Sequence, residues 1–150
     1  MATTLATATS SRNTAHTVNW GRYALVGLGT IVAAVLANVL VYYLGGALAA
    51  YDPRFPPLSA VSGAVIFTVV PAIAAAILYA ILLRFARRPA RIFAIIAAVA
   101  FVVTAIPDFT YAPRFPGATG GQIAILVTMH IVAAVVIVGL LTRFSGGQER

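Results

Sequence analysis

The residues of this chain that could do chemistry are few, and the most suggestive lie inside apolar runs. His130 stands eight residues past Gln122, Asn38 eight before Gly46, and Thr68 nine past Ser59. Three helices ending at one membrane boundary would carry these groups to about the same depth, roughly 12–14 Å, at 1.5 Å rise per residue. The spacing predicts a polar layer there, with Thr128, Ser62, Thr104, Tyr42 and Tyr43 nearer the boundary. Such groups can simply hydrogen-bond across helices, at about 0.6–2 kcal/mol each. They can also form a small binding site in which His130, Asn38, Thr68, Thr128 and Tyr42 meet a ligand. His130 would then act as ligand, proton carrier or hydrogen-bond donor. A histidine in a membrane can hold haem or a chlorophyll magnesium, and one per chain leaves a bis-His haem needing a second protomer. These residues do not fix a cofactor.

Catalysis finds little support. There is no cysteine, and of two histidines one, His16, falls in the polar leader. No glycine-rich phosphate loop, metal-spaced cluster or Ser/His/Asp set can be assembled, so the chain reads as a non-enzyme. Asp52 and Asp108 fall in expected loops and Glu149 in the tail, leaving no carboxylate inside a span. A small proton-coupled transporter would want one there, so transport is the weakest of three readings.

The elements that must position these residues follow from composition. Of 150 residues 61% are hydrophobic and only 9% charged, against about 25% charged in soluble domains. Mean hydropathy is +0.99. Most of this surface must therefore face lipid. Four apolar runs, at about 23–45, 59–85, 90–107 and 122–144, are long enough to span, the third being the shortest. The first is too long for a signal-peptide core. Residues 1–19 read as a flexible tail, 20–144 as the transmembrane domain and 145–150 as a second tail. Trp20, Arg22 and Tyr23 form an interfacial belt, and Pro71 stands in mid-span. Gly29, Ala33 and Ala37 make a small-residue stripe on the first span, and positions 60 to 80 of the second carry Ala or Thr at every fourth residue. Small residues let helices approach closely.

Two loops share one word. Tyr51-Asp52-Pro53-Arg54-Phe55-Pro56 returns sixty positions later as Tyr111-Ala112-Pro113-Arg114-Phe115-Pro116. Each copy joins two apolar runs, so the chain reads as an all-α integral membrane four-helix bundle of two sequential hairpins. Tyr51, Asp52, Arg54, Phe55, Asp108, Tyr111, Arg114 and Phe115 are the residues with which these loops would anchor themselves or meet a partner, with Asp52 and Asp108 pairing locally with Arg54 and Arg114. Eight of ten arginines, at 12, 22, 84, 87, 88, 91, 143 and 150, fall on the side of the termini and the central turn. By the positive-inside rule that side is cytoplasmic. Arg84, Arg87, Arg88 and Arg91 act as topology determinants and meet anionic lipid. Basic residues confined to span ends do not suit nucleic acid.

The residues Ala37-Asn38, Leu82-Leu83-Arg84-Phe85-Ala86-Arg87-Arg88-Pro89 and Met129-His130-Ile131-Val132-Ala133-Ala134 resemble the bacterial four-helix membrane proteins grouped as DUF6069. That resemblance runs from about Tyr23 to Phe144 and implies a four-span fold in a bacterial inner membrane; it supplies no activity. The doubled loop word is not part of it. On all these grounds the expected function is structural or accessory: a small bundle forming a homo-oligomer or packing as a subunit against other membrane proteins. Ligand binding at the polar layer is the alternative, and transport a second one.

Overall fold

Four helices form in chain order: α1, Trp20–Leu48; α2, Val61–Phe85; α3, Pro89–Thr110; and α4, Gly120–Ser145. The structure, a computed structural model, describes residues 19–145. All four helices are long and apolar enough to cross a membrane. Only 11–22% of the residues in each apolar window are buried within the protein. The remaining apolar surface, with Leu25, Phe67, Phe85 and Val135 outward, is what lipid must cover. The tails 1–18 and 146–150 lie outside the described residues.

Local chemistry sets the helix ends. Asn19, placed in the leading tail by composition, caps α1: its Oδ1 accepts the Arg22 backbone N–H at 3.0 Å. The central turn takes only residues 86–88 before Pro89 opens α3 at the first helical position, where proline's missing N–H costs nothing. Pro71 lies inside α2. The basic belt of Arg22, Arg84, Arg87, Arg88, Arg91 and Arg143 marks the end of the bundle where α1 begins and α4 ends, here the terminal end.

Each helix packs on its neighbours in sequence, and α1 closes the ring on α4 through the most extensive contact. Since lipid tails are as apolar as leucine, close packing and interhelical hydrogen bonds must hold these seams. On α1 the packed line is Gly27, Thr30, Ala34 and Asn38, all buried, rather than the neighbouring Gly29–Ala33–Ala37 stripe. Gly29 is exposed, and Ala33 and Ala37 are only half-buried. Its counterpart on α2 is Ala64, Thr68 and Ala72, continuing the four-residue row. At the terminal end Tyr23, Tyr79, Phe93, Ile137 and Leu141 form a core, and the Tyr23 hydroxyl donates across to the Ala76 carbonyl.

The opposite, loop end is stepped. Gly45 of α1 meets α4 so closely that a Cβ there would lie 2.9 Å from Ile125 Cγ2 and 2.7 Å from Tyr51 Oη. On α4, Gly121 lies beside Ala49, so α1 and α4 rise together. The other two helices stop short. Asp108 is two residues from the end of α3 yet lies against His130, ten residues into α4. The end of α3 therefore sits about 12 Å deeper than that of α4. Both loops fold into this notch, where Phe55, Leu58, Ala64, Ala112 and Met129 form a second core.

Candidate functional site

The doubled word solves two different problems in one place. Phe55 is fully buried, whereas Phe115 is 41% exposed, its ring meeting Phe55 edge-on at 6.4 Å. Tyr51 is half-buried and donates to the Tyr42 carbonyl at 2.6 Å, while Tyr42 donates to the Leu58 carbonyl at 3.2 Å. Tyr111 stands exposed under the Arg114 guanidinium, 5.5 Å from the ring centre. The one differing position is accounted for. Asp52 Oδ1 accepts the Arg54 backbone N–H at 2.9 Å and its carboxylate holds the Arg54 guanidinium at 2.7 Å. Ala112 is packed into the loop-end core, where no carboxylate would fit unpaired. Gly117, at φ +78°, brings the second loop against the first; a Cβ there would lie 2.5 Å from Asp52 Cγ.

Hydrogen bonds from the side chain and backbone of Arg54 hold the Asp52 carboxyl down at about 2. A depressed folded value means the pairing contributes in full above the ordinary carboxyl value of 3.8 and is lost as pH falls through about 2. A carbon-13 carboxyl titration in micelles is expected to find Asp52 still ionised at about pH 3. Arg54→Gln should return it to the ordinary range; an ordinary titration in the parent protein would show that the pair does not form.

Asn38 and Thr68 meet between α1 and α2. Asn38 Nδ2 donates to Thr68 Oγ1 at 2.8 Å, and that hydroxyl donates to the Ala64 carbonyl at 2.7 Å. Because the Thr68 proton is committed to Ala64, Thr68 can only accept from Asn38, which fixes the amide's orientation. Asn38 Oδ1 is left buried without a donor.

His130 is held on the other side of the bundle, between α4 and α3. Its Nδ1 lies 3.1 Å from the Leu126 carbonyl and 3.0 Å from Asp108 Oδ2. The carboxylate oxygen itself is buried and takes no aligned hydrogen bond, so the ring N–H points at the carbonyl with the carboxylate close beside it. Asp108 thus departs from the loop position given it by sequence: it lies in the last turns of α3, inside a candidate span, and pairs with His130 instead of Arg114. Proline at 107 does not end the helix as its chemistry suggests; the Tyr111 N–H still reaches the Pro107 carbonyl at 2.8 Å, and tertiary contact with α4 completes the turn. The statement that no carboxylate lies in a span is overturned with it.

The remaining polar residues separate from this group. Thr128 is exposed and bonds the Ala124 carbonyl of its own helix, and Thr104 likewise bonds Ala100. Tyr42 belongs to the loop anchor. Gln122, read from sequence only as a helix boundary, is fully buried and donates from Nε2 to the Gly117 carbonyl at 3.0 Å, tying the second loop to α4. Its Oε1 has no donor. Asp108 carried a signal in the sequence: a carboxylate in the last turn of a helix opposes the macrodipole and calls for a partner. Among the described residues no three His, Cys, Asp or Glu side chains come together as a metal site.

Four apolar spans with an ionisable pair inside them define the class: a small multi-pass membrane protein. Residues 18–146 match a family of unknown function, DUF6069, and the chain belongs to that family. No curated protein and no solved structure matches it.

Proposed function

We propose that this protein binds, without catalysis, a small amphiphile whose hydroxyl or ammonium head meets His130 and whose apolar body lies among the helices or lipid. The observation that carries the reading is the setting of the imidazole. With two acceptors at Nδ1, the neutral ring keeps its proton there and presents a lone pair at Nε2, which has no partner among the described residues. A carboxylate behind the ring fixes its tautomer and orientation, the arrangement used for histidines that act as ligands. Beside His130 the unmet buried atom is an acceptor, Asp108 Oδ2, while Asn38 Oδ1 and Gln122 Oε1 stand elsewhere in this half of the bundle. A ligand bearing a donor suits the position at His130. The arginine belt supports an orientation with both termini in the cytoplasm of a bacterial cell, the His130 level lying in the outer half of the inner membrane.

The test is native mass spectrometry and an absorption spectrum on protein extracted from its own membranes, beside His130→Asn. Asparagine carries its amide donor at the δ position, where Nδ1 meets Leu126 and Asp108, and has nothing at the Nε2 position. A stoichiometric extra mass in the parent, lost in the variant with helicity unchanged, is the expected result. Bare protein in both samples would reject ligand binding.

The accessory reading rests on a separate observation, the open small residues of α1 and α4, where a Cβ at Gly29 or Gly139 would meet nothing within 4 Å. It calls for bare protein seen only as an oligomer or with another subunit. Transport gains a carboxylate in a span, Asp108, and would further require a water path.

A further inference from the structure

We infer that the furrow between α1 and α4 at the terminal end is a binding site for one acyl chain of an anionic phospholipid, with the phosphate held between Arg22 and Arg143. Two adjoining hollows, of about 350 and 560 Å³, share Leu140 and Phe144 and together run along this seam. One is lined by Arg22 and Gly29, the other by Ala33, Gly139 and Arg143. From Arg22 to Ala33 the furrow is about 16 Å long by helical rise, close to the length of a membrane acyl chain. Its floor is open because the two glycines have no side chains, and nothing else in the described chain fills the space.

Charge selects the occupant. Arg22 opens α1 and Arg143 lies in the last turn of α4, so two guanidinium groups stand at the mouth of an apolar trough. Among the described residues neither has an acidic partner; Asp52 is taken by Arg54 and Asp108 lies beside His130, both toward the loop end. A guanidinium pairs a phosphate with geometry that a zwitterionic headgroup's ammonium weakens. Among the described residues a second copy of this chain would bring two more arginines to the same mouth and no carboxylate, so an anionic lipid matches its charge better than another copy does. The inference stands apart from the ligand at His130, which lies toward the opposite end.

The experiment is a native mass spectrometric titration of delipidated protein with phosphatidylglycerol and, separately, phosphatidylcholine of matched chains. Phosphatidylglycerol is expected to bind about tenfold more tightly. Arg22→Gln with Arg143→Gln should erase that preference, whereas glutamine at Arg84, Arg87, Arg88 and Arg91 should leave it. Gly29→Leu with Gly139→Leu, which fills the trough without touching the charges, should weaken both lipids. Equal affinity for the two lipids, or a preference that follows the central turn, would overturn the assignment. So would lipid binding unchanged by the leucines together with loss of a dimer, which would assign the furrow to a second copy.

Discussion

Phe55→Ala is expected to destabilise the bundle by about 3 kcal/mol, while Phe115→Ala, the same change in the second copy of the same word, costs about 1 kcal/mol or less. Burial decides the difference: Phe55 is fully enclosed, and Phe115 is 41% exposed. Removing the Phe55 ring opens a cavity among Leu58, Ala64, Ala112 and Met129, residues contributed by both loops, α2 and α4. Lipid tails cannot follow, because this core sits beneath the loops in the notch above the shorter helices. The loss is therefore one of packing contacts, which no solvent replaces. Phe115 gives up its edge contact with Phe55 and only partial burial. Unfolding in mixed micelles, parent against each variant, measures both values. Equal losses would mean that the two loops cap the bundle symmetrically and that the stepped end is wrong.

The same pair of loops shows what the sequence could and could not disclose. That there are two hairpins, and that Pro-Arg-Phe-Pro stands in the loop of each, follows from apolar run length and repetition. That one phenylalanine is core and the other rim does not, because the difference arises from helix height. The chain gives α1 and α4 more length beyond the seam contacts than α2 and α3, and only the register between helices turns that into a notch. Register also separates Asn38–Thr68, found by counting residues from span ends, from Asp108–His130, which counting missed. The sequence reading ends the third span at Pro107 and leaves Asp108 in the loop. Pro107 does not end the helix, which continues to Thr110 and carries Asp108 with it. The α1 seam illustrates the finer limit. Small residues occupy both Gly27–Ala34 and Gly29–Ala37, and composition cannot say which line faces α2.

His130→Leu alone should cost about 2 kcal/mol, and the double variant His130→Leu with Asp108→Leu should regain most of it or exceed the parent. The single change leaves the Asp108 carboxyl buried at 11% side-chain exposure with its neighbouring imidazole gone. Breaking a fully enclosed pair costs about 3–5 kcal/mol, and the 36% exposure of His130 lowers that figure here. Replacing both partners removes the orphaned charge and lets α3 and α4 pack as apolar helices do. A double-mutant cycle in mixed micelles separates the terms. Strict additivity, with each leucine costing the same whether or not its partner is present, would show that the two side chains are neighbours without being coupled. Recovery in the double variant has a sharper meaning. A membrane bundle that is as stable without this pair does not keep it for stability, and a buried carboxylate then has to be explained by what it does to His130. Ligand loss in Asp108→Leu with His130 intact is the matching readout: it reports orientation of the ring, which stability alone would not move.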